Sequence, residues 1–240
     1  MNEKFANLCK LSYKDPNMLS YNNINFYNST KFINNIGTDA QCYIHTYLND
    51  VYIVFRGTTS IKDWKHDVDT RSRRLFNNVK FHNGFYEQYN SIKNEIYGSI
   101  PFISNRNLYI MGHSLGGALA YVCAVDIYLN TNNKNINVFT IGSPRPGNKD
   151  FADYFNKNMK SSIRFKNKGD IITKLPLRTK YKHCHKAICI ENGKIAKDVV
   201  YQTFFMRLFN TICRMDISNL ITNHSVDIYI NNIEQYSKNK

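Results

Sequence analysis

The sequence has no apolar stretch long enough to cross a bilayer and no segment that resembles an export signal. A membrane-spanning helix needs about 20 consecutive apolar residues, and none of the hydrophobic stretches reaches that length. The first 15 residues contain Lys4 and Lys10 but no apolar core, and their pattern is that of an amphipathic helix. We therefore expect no signal peptide, and an intracellular protein.

The sequence also lacks internal repeats and linkers, with only 5 prolines and 11 glycines spread over 240 residues. Because nothing in its composition marks a domain boundary, the simplest interpretation is one domain over residues 1–240. Hydrophobic residues make up 42% of the chain, which is enough to form a substantial core and excludes a disordered protein.

The cysteines show no Cys-x-x-Cys spacing, and without an export signal we expect free, buried thiols rather than disulfides. A Cys184–Cys189 bridge is the alternative for a protein secreted without a recognisable signal. His183 and His185 flank Cys184. On a strand the two histidines would share one face while Cys184 would point to the other, so we favour a structural role over a metal site. The six cysteines are at positions 9, 42, 123, 184, 189 and 213.

Acidic residues are scarce, since 18 Asp and Glu stand against 32 Lys and Arg, giving a formal charge of +14. Such a surface attracts polyanions, among them nucleic acid and anionic lipid headgroups. The basic residues are spread along the chain, however, and only the segment 71–74 forms a dense cluster. A spread excess is typical of a solvated surface. We therefore expect no specific nucleic-acid site, while transient contact with a lipid interface or an anionic membrane surface stays open.

Short apolar, β-rich runs alternate with helical patterns along the chain. Strands that alternate with helices imply a mainly parallel sheet covered on both faces, which is an α/β fold. Near the end, Asn192-Gly193 predicts a hairpin between 186–190 and 194–199. The predicted strands are 51–55, 107–111, 138–141 and 162–165, and the predicted helices are 118–129, 201–213 and 226–236.

One motif carries chemistry: Gly112-His113-Ser114-Leu115-Gly116 is a Gly-x-Ser-x-Gly pentapeptide. Its position makes it specific, because an apolar strand runs into it and an apolar helix runs out of it. A tight strand-to-helix turn of this kind lifts the serine oxygen clear of the sheet, and a side chain at either flanking glycine would collide across the turn. The pattern predicts Ser114 as a nucleophile.

A nucleophilic serine needs a histidine base and a carboxylate that orients the base, in the chain order Ser, Asp or Glu, His. Three histidines come late enough: His183, His185 and His224. His224 lies on a late loop that can fold back over Ser114. The candidate carboxylates are Asp126, Asp150, Asp153, Asp170, Asp198, Asp216 and Glu191. Asp170 follows a predicted strand at the carboxyl edge of the sheet and is favoured, with Asp198 as runner-up.

The negative oxygen of a tetrahedral intermediate needs preorganised donors. The residue after the nucleophile, Leu115, supplies one backbone N–H. The second donor should come from the loop after an earlier strand, where Thr58 follows Phe55-Arg56-Gly57. The alternative for Thr58 is a simple helix cap.

The segment 112–120 resembles the nucleophile segment of the class 3 lipases, the family of the fungal triacylglycerol lipases and feruloyl esterases. Five other segments resemble blocks of that family in the same order, so the resemblance extends over about residues 51–229. The first 50 residues match only loosely. The five segments are 55–64, 82–85, 141–148, 164–176 and 181–183.

This resemblance implies an α/β-hydrolase fold and a triad of Ser114, Asp170 and His224. It also implies that Thr58 contributes a backbone N–H and a hydroxyl to the oxyanion hole, with Asp67 as the partner of that hydroxyl. The family carries its lid helix at residues 60–69, and here one helical face would hold Ile61, Trp64 and Val68. The alternative is a fixed surface helix.

The expected function is therefore hydrolysis of acylglycerols by a serine ester hydrolase that needs no metal or organic cofactor. Within hydrolases the alternative is a phospholipase or an esterase of soluble esters. The segment around the expected lid is rich in charge, which leaves room for more polar substrates. An alternative from another class is a catalytically silent protein that binds membranes or nucleic acid through its positive charge.

Overall fold

The structure is a computed structural model that describes residues 1–18, 28–58, 71–176, 178–197 and 222–239. Among these residues, no helix is both long enough and apolar enough to cross a membrane.

An eight-stranded sheet in the order β1-β2-β3-β6-β7-β8-β9-β10 forms the centre of the molecule. The five strands β3, β6, β7, β8 and β9 run parallel, while β1, β2 and β10 add antiparallel pairs at the edges. A separate hairpin joins β4 to β5. The strands are β1 (Ser29–Asn35), β2 (Ala40–Tyr47), β3 (Asp50–Phe55), β4 (Ser72–Phe76), β5 (Val79–His82), β6 (Asn107–His113), β7 (Ile136–Ile141), β8 (Ser162–Asn167), β9 (Ile188–Glu191) and β10 (Lys194–Ile195).

Helices cover both faces of this sheet, as the alternating sequence pattern predicts. One apolar core lies between the sheet and three helices on one side, and a second lies between the sheet and the first and last helices on the other. The helices are α1 (Asn2–Leu11), α2 (Asn83–Gly98), α3 (Leu115–Asn130), α4 (Lys149–Asn158) and α5 (Val226–Lys238). The α/β fold class and the mainly parallel sheet are confirmed.

Strand β3 shows why both faces are covered. Val51, Ile53 and Phe55 point into the core beneath α2 and α3, while Tyr52 and Val54 point into the core beneath α1. Successive side chains of a strand alternate between faces, so a strand that is apolar throughout must be buried on both sides.

The register of the parallel strands brings the carboxyl ends of β3, β6, β7 and β8 to one edge. Phe55 of β3 pairs with Gly112 of β6, and Ile141 of β7 pairs with both His113 of β6 and Phe165 of β8. The residues that follow these strands therefore meet there, which is where sites of open parallel sheets assemble.

The hairpin predicted around Asn192-Gly193 is confirmed, because both residues have positive φ and join β9 to β10. The basic cluster 71–74 lies mainly in strand β4, with Arg73 and Arg74 exposed. Residues 72–74 are extended because they pair with β5. The predicted helix 201–213 and Cys213 lie outside the described residues. Cys9, Cys42, Cys123 and Cys184 are free thiols in the core, and Cys189 is buried as well.

His45 on β2 predicts a pH-dependent stability. Its ring is almost fully buried, it shares a hydrogen bond with the Thr30 hydroxyl, and burial lowers its pKa from 6.5 to about 4. Between these two pH values the unfolded chain binds more protons than the folded one, so the free energy of unfolding falls as the pH falls from 6.5 towards 4. The contribution is complete above pH 6.5 and amounts to roughly 3 kcal/mol.

Urea unfolding of the parent and of His45→Asn, at neutral pH and near pH 4, measures this contribution. The variant keeps a polar group near Thr30 but cannot titrate, so its stability should fall by less. An equal fall in the two proteins would show that His45 does not contribute.

Candidate active site

Ser114 lies on the turn between β6 and α3, with φ 57° and ψ −130°. A non-glycine residue in this left-handed region is strained by about 1–3 kcal/mol, and such strain is typical of functional positions. The turn is held by the Ser114 backbone N–H, which donates to the Ile141 carbonyl at 3.0 Å. The strained backbone presents the Ser114 hydroxyl above the carboxyl edge of the sheet.

The two glycines of the pentapeptide permit this turn because the backbone passes too close for any side chain. A Cβ on Gly112 would lie 2.3 Å from the carbonyl carbon of Gly116. A Cβ on Gly116 would lie 2.3 Å from the Phe55 carbonyl oxygen at the end of β3. Both positions therefore require glycine, as the sequence motif predicts.

The structure brings Ser114 and His224 together although 110 residues separate them. The Ser114 Oγ lies 2.7 Å from His224 Nε2, and both side chains are buried. His224 ends a short 3-10 turn, Thr222–His224, directly before α5. Gly142 at the end of β7 borders its ring, since a Cβ there would lie 3.0 Å from His224 Cε1. Of the three late histidines, this is the one that contacts Ser114.

Asp170 completes the chain of contacts from the other side of the imidazole. Its Oδ2 lies 2.9 Å from His224 Nδ1, and its Oδ1 accepts the backbone N–H of Ile172 at 2.9 Å. The residue is 1% exposed, in the turn that follows β8. The structure thus places Asp170 against the imidazole of His224, on the side opposite Ser114.

Tyr229 also binds this carboxylate, and sequence reasoning missed it. The Tyr229 hydroxyl donates to Asp170 Oδ2 at 2.6 Å and accepts the Asn167 backbone N–H at 2.9 Å. Burial raises the pKa of Tyr229 well above its usual value, and the adjacent Asp170 charge raises it further, so the hydroxyl keeps its proton. With the bonds from His224 and Ile172, the buried carboxylate has three donors, which compensates the cost of burying its charge.

The two expected oxyanion donors belong to Leu115 and Thr58. Leu115 is the first residue of α3, and the first backbone N–H groups of a helix have no acceptor within the helix. Thr58 follows Gly57, where a Cβ would lie 3.1 Å from the Ser114 Cβ. The chain after β3 therefore comes close to Ser114 at Gly57, next to Thr58. The N-terminus of α3 adds a dipole that favours negative charge.

Three of the other candidates, all among the described residues, have partners elsewhere. Asp126 is buried in α3, where it accepts hydrogen bonds from Tyr89 and Tyr97 and forms an ion pair with Lys93. The rings of His183 and His185 bond to backbone carbonyls of Thr173 and Met159. Within the described ranges, no group of three or more His, Cys, Asp or Glu side chains is placed to hold a metal ion.

The expected lid falls on the undescribed stretch between residues 58 and 71. Ile61, Trp64 and Val68 therefore lie outside the described residues, as does Asp67, the expected partner of the Thr58 hydroxyl. The runner-up acid Asp198 also lies outside them.

A mainly parallel sheet with a serine on a strained strand-to-helix turn, and a histidine and an aspartate on later loops, defines the α/β-hydrolase fold. The sequence model of the family described as Lipase (class 3) matches residues 52–180, more than half of the 240-residue chain. The chain therefore belongs to the class 3 lipase family.

Known proteins resemble the chain in sequence and in fold. A lipase of Rhizomucor miehei is 33% identical over 135 residues, covering 52% of this chain and 37% of that protein. The secreted mono- and diacylglycerol lipase 1 of Fusarium solani is 26% identical over 156 residues, covering 62% of this chain and 46% of that protein. The chain thus spans less than half the length of these two relatives.

The solved structure of the Rhizomucor miehei triacylglyceride lipase superposes with a TM-score of 0.75 at 21% identity, covering 94% of this chain and 93% of that one. At this identity the likeness establishes a shared fold, and it extends to almost the whole chain.

Proposed function

We propose that this chain is a serine ester hydrolase that cleaves acylglycerols. The observation that carries the proposal is the unbroken hydrogen-bonded chain from Ser114 through His224 to Asp170, with heavy-atom distances of 2.7 and 2.9 Å. Nucleophile, base and orienting carboxylate are spaced as acyl transfer requires.

In the first half of the reaction, His224 Nε2 accepts the proton of the Ser114 hydroxyl while Oγ attacks the ester carbonyl carbon. The carbonyl oxygen becomes negative and binds the backbone N–H groups of Leu115 and Thr58. Asp170 accepts the His224 Nδ1–H throughout and stabilises the imidazolium. The intermediate collapses, and the alcohol leaves with the proton that His224 returns, so that Ser114 carries the acyl group.

In the second half, His224 takes a proton from water, which attacks the acyl carbon. The same two N–H groups hold the second oxyanion. The C–O bond to Ser114 then breaks, the serine recovers its proton from His224, and the fatty acid is released. Every group that reacts in these steps belongs to the chain, to the ester or to water.

The choice of acylglycerols rests on family membership and on the named activity of the Fusarium solani relative, a mono- and diacylglycerol lipase. The formal charge of +14 favours substrates presented at an anionic lipid surface, because such a surface concentrates a cationic protein. Contact with that surface is transient in this proposal.

A substrate panel with active-site labelling tests the proposal. A fluorophosphonate probe should label the parent at Ser114, and Ser114→Ala should not be labelled. Hydrolysis is then compared on emulsified tri- and diacylglycerol, on phosphatidylcholine and phosphatidylglycerol vesicles, and on a soluble short-chain ester, each below and above the concentration at which an interface forms. We expect the acylglycerols to be cleaved fastest and Ser114→Ala to be inactive on all of them.

The other outcomes separate the rival functions. Fastest cleavage of phospholipid, or of the soluble ester, would overturn the acylglycerol assignment and leave ester hydrolysis intact. An unlabelled parent without ester hydrolysis, but with salt-sensitive binding to vesicles or nucleic acid, would establish a catalytically silent binding protein instead.

A further inference from the structure

His113, the residue before the nucleophile, is buried and bonds to two partners that lie far from it in sequence. Its Nε2 lies 2.8 Å from the backbone carbonyl oxygen of His224. Its Nδ1 lies 2.7 Å from the hydroxyl of Tyr13, a partly buried residue that follows α1. A single ring therefore connects the N-terminal segment to the backbone of the histidine that contacts Ser114.

These partners determine where the protons of His113 lie. A carbonyl oxygen can only accept, so Nε2 must carry the hydrogen that it donates to His224. Burial lowers the pKa of His113 well below its usual value, and the nearby His224 lowers it further, so the ring is neutral. The neutral ring then has a lone pair on Nδ1, which accepts the hydrogen of the Tyr13 hydroxyl.

The neutral form matters because the rings of His113 and His224 are only 4.7 Å apart, centroid to centroid. During acyl transfer His224 becomes an imidazolium, and a second positive ring at this distance would oppose that charge. The Tyr13 hydroxyl occupies the Nδ1 lone pair of His113, where a proton would otherwise add. The same bond leaves Nε2 as the donor that holds the His224 backbone.

We propose that Tyr13 and His113 form a positioning relay that fixes the tautomer of His113 and, through its Nε2–H, the backbone of His224 for proton transfer from Ser114. Both are positioning residues, since neither is placed to touch the reacting atoms. The relay deepens the proposed hydrolase function and rests on it.

The surroundings of Tyr13 offer a rival explanation that the test must separate. A Cβ on Gly57 would lie 2.2 Å from the Tyr13 hydroxyl oxygen, and the Arg56 guanidinium lies 5.8 Å from the centre of its ring. Tyr13 therefore also contacts the loop that presents Thr58. An effect through that loop would not depend on His113, whereas the relay acts only through His113.

Steady-state kinetics of Tyr13→Phe on a soluble ester provide the first readout. Phenylalanine keeps the ring and removes only the hydroxyl, and we expect kcat to fall roughly tenfold with KM unchanged. The matched control is Tyr43→Phe, because the Tyr43 hydroxyl donates to the Lys14 carbonyl at 3.0 Å and anchors the same N-terminal segment without touching His113. Its kcat should equal that of the parent.

A double-mutant cycle provides the second readout. His113→Gln keeps an N–H donor near the His224 carbonyl but removes the imidazole tautomers. In that background Tyr13→Phe should cost almost nothing further, because the hydroxyl has lost the group through which it acts. An equal loss of kcat in the parent and in the His113→Gln background would overturn the relay and assign the effect to the Gly57 loop.

Nitrogen-15 NMR of histidine-labelled protein provides a readout that needs no turnover. The parent should show His113 as the neutral Nε2–H tautomer, with its Nδ1 resonance shifted by an accepted hydrogen bond. That shift should disappear in Tyr13→Phe and persist in Tyr43→Phe. A parent spectrum with the hydrogen on Nδ1 would overturn the relay. Failure of the hydrolase proposal would be seen separately, as an unlabelled Ser114 in the parent.

Discussion

Alanine at Ser114 or at His224 is expected to lower kcat by about 10⁵- to 10⁶-fold, and alanine at both positions is expected to lower it no further. The reason is that the two side chains act as one unit: the hydroxyl is a weak nucleophile until Nε2, 2.7 Å away, takes its proton. Once either side chain is removed, the other no longer contributes to the rate. Single-turnover hydrolysis of a chromogenic ester by each single variant and by the double variant measures the effect.

His185→Gln is the matched control for the histidine, because it replaces another late histidine whose ring bonds to the Met159 carbonyl, away from Ser114. Its kcat should stay near that of the parent. If the losses of kcat at Ser114 and at His224 multiplied in the double variant, the two residues would act independently rather than as one unit. The residual rate of the double variant reports the oxyanion donors of Leu115 and Thr58.

The centre of the fold could be predicted from the sequence because its signals are local and agree with one another. The apolar run that becomes β6, the glycines of the pentapeptide and the apolar helix α3 each specify the same strand–turn–helix unit. Asp170 could be assigned by its place after β8, since the carboxyl ends of parallel strands meet at one edge. Short stretches of sequence therefore indicate which segments form the parallel strands and where those strands end.

The antiparallel strands β1 and β2 at one edge of the sheet were not predicted, and for β1 the reason lies in its composition. Strand β1 contains mostly polar residues, and Ile33 is its one fully buried side chain. Its extended form is held by pairing with β2 rather than by an apolar pattern of its own. Strand propensity is weak where the partner strand supplies most of the stabilisation.

The tyrosines at the site were missed for a different reason. In sequence, Tyr229 is one apolar position on the buried face of α5, beside Ile230 and Ile233. Nothing local shows that its hydroxyl lies over Asp170, because that contact depends on where α5 packs on the sheet. Tyr13 and His113 are 100 residues apart, and only the folded chain brings them together. Long-range hydrogen bonds of single hydroxyls leave no periodic trace in a sequence.

Replacing Asp170 by asparagine is expected to lower kcat by about 10⁴-fold while the protein stays folded. The hydrogen bonds of Asp170 determine how the amide must sit. Its Oδ1 accepts the Ile172 N–H, so the asparagine oxygen is required there and the NH₂ group replaces Oδ2. An NH₂ group beside His224 Nδ1 forces that nitrogen to accept. The imidazole hydrogen then moves to Nε2, which can no longer take the proton of Ser114.

Asp126→Asn is the matched control, because Asp126 is also a buried aspartate between Ser114 and His224 in sequence and also accepts hydrogen bonds from tyrosine hydroxyls. The substitution removes the negative charge that pairs with Lys93 and should therefore lower the thermal stability. The kcat per fluorophosphonate-labelled site should stay within a few-fold of that of the parent. Asp198→Asn tests the runner-up acid in the same assay. If kcat were unchanged in Asp170→Asn and strongly reduced in Asp198→Asn, the carboxylate that orients His224 during turnover would be Asp198. The 2.9 Å hydrogen bond between His224 and Asp170 would then be structural only.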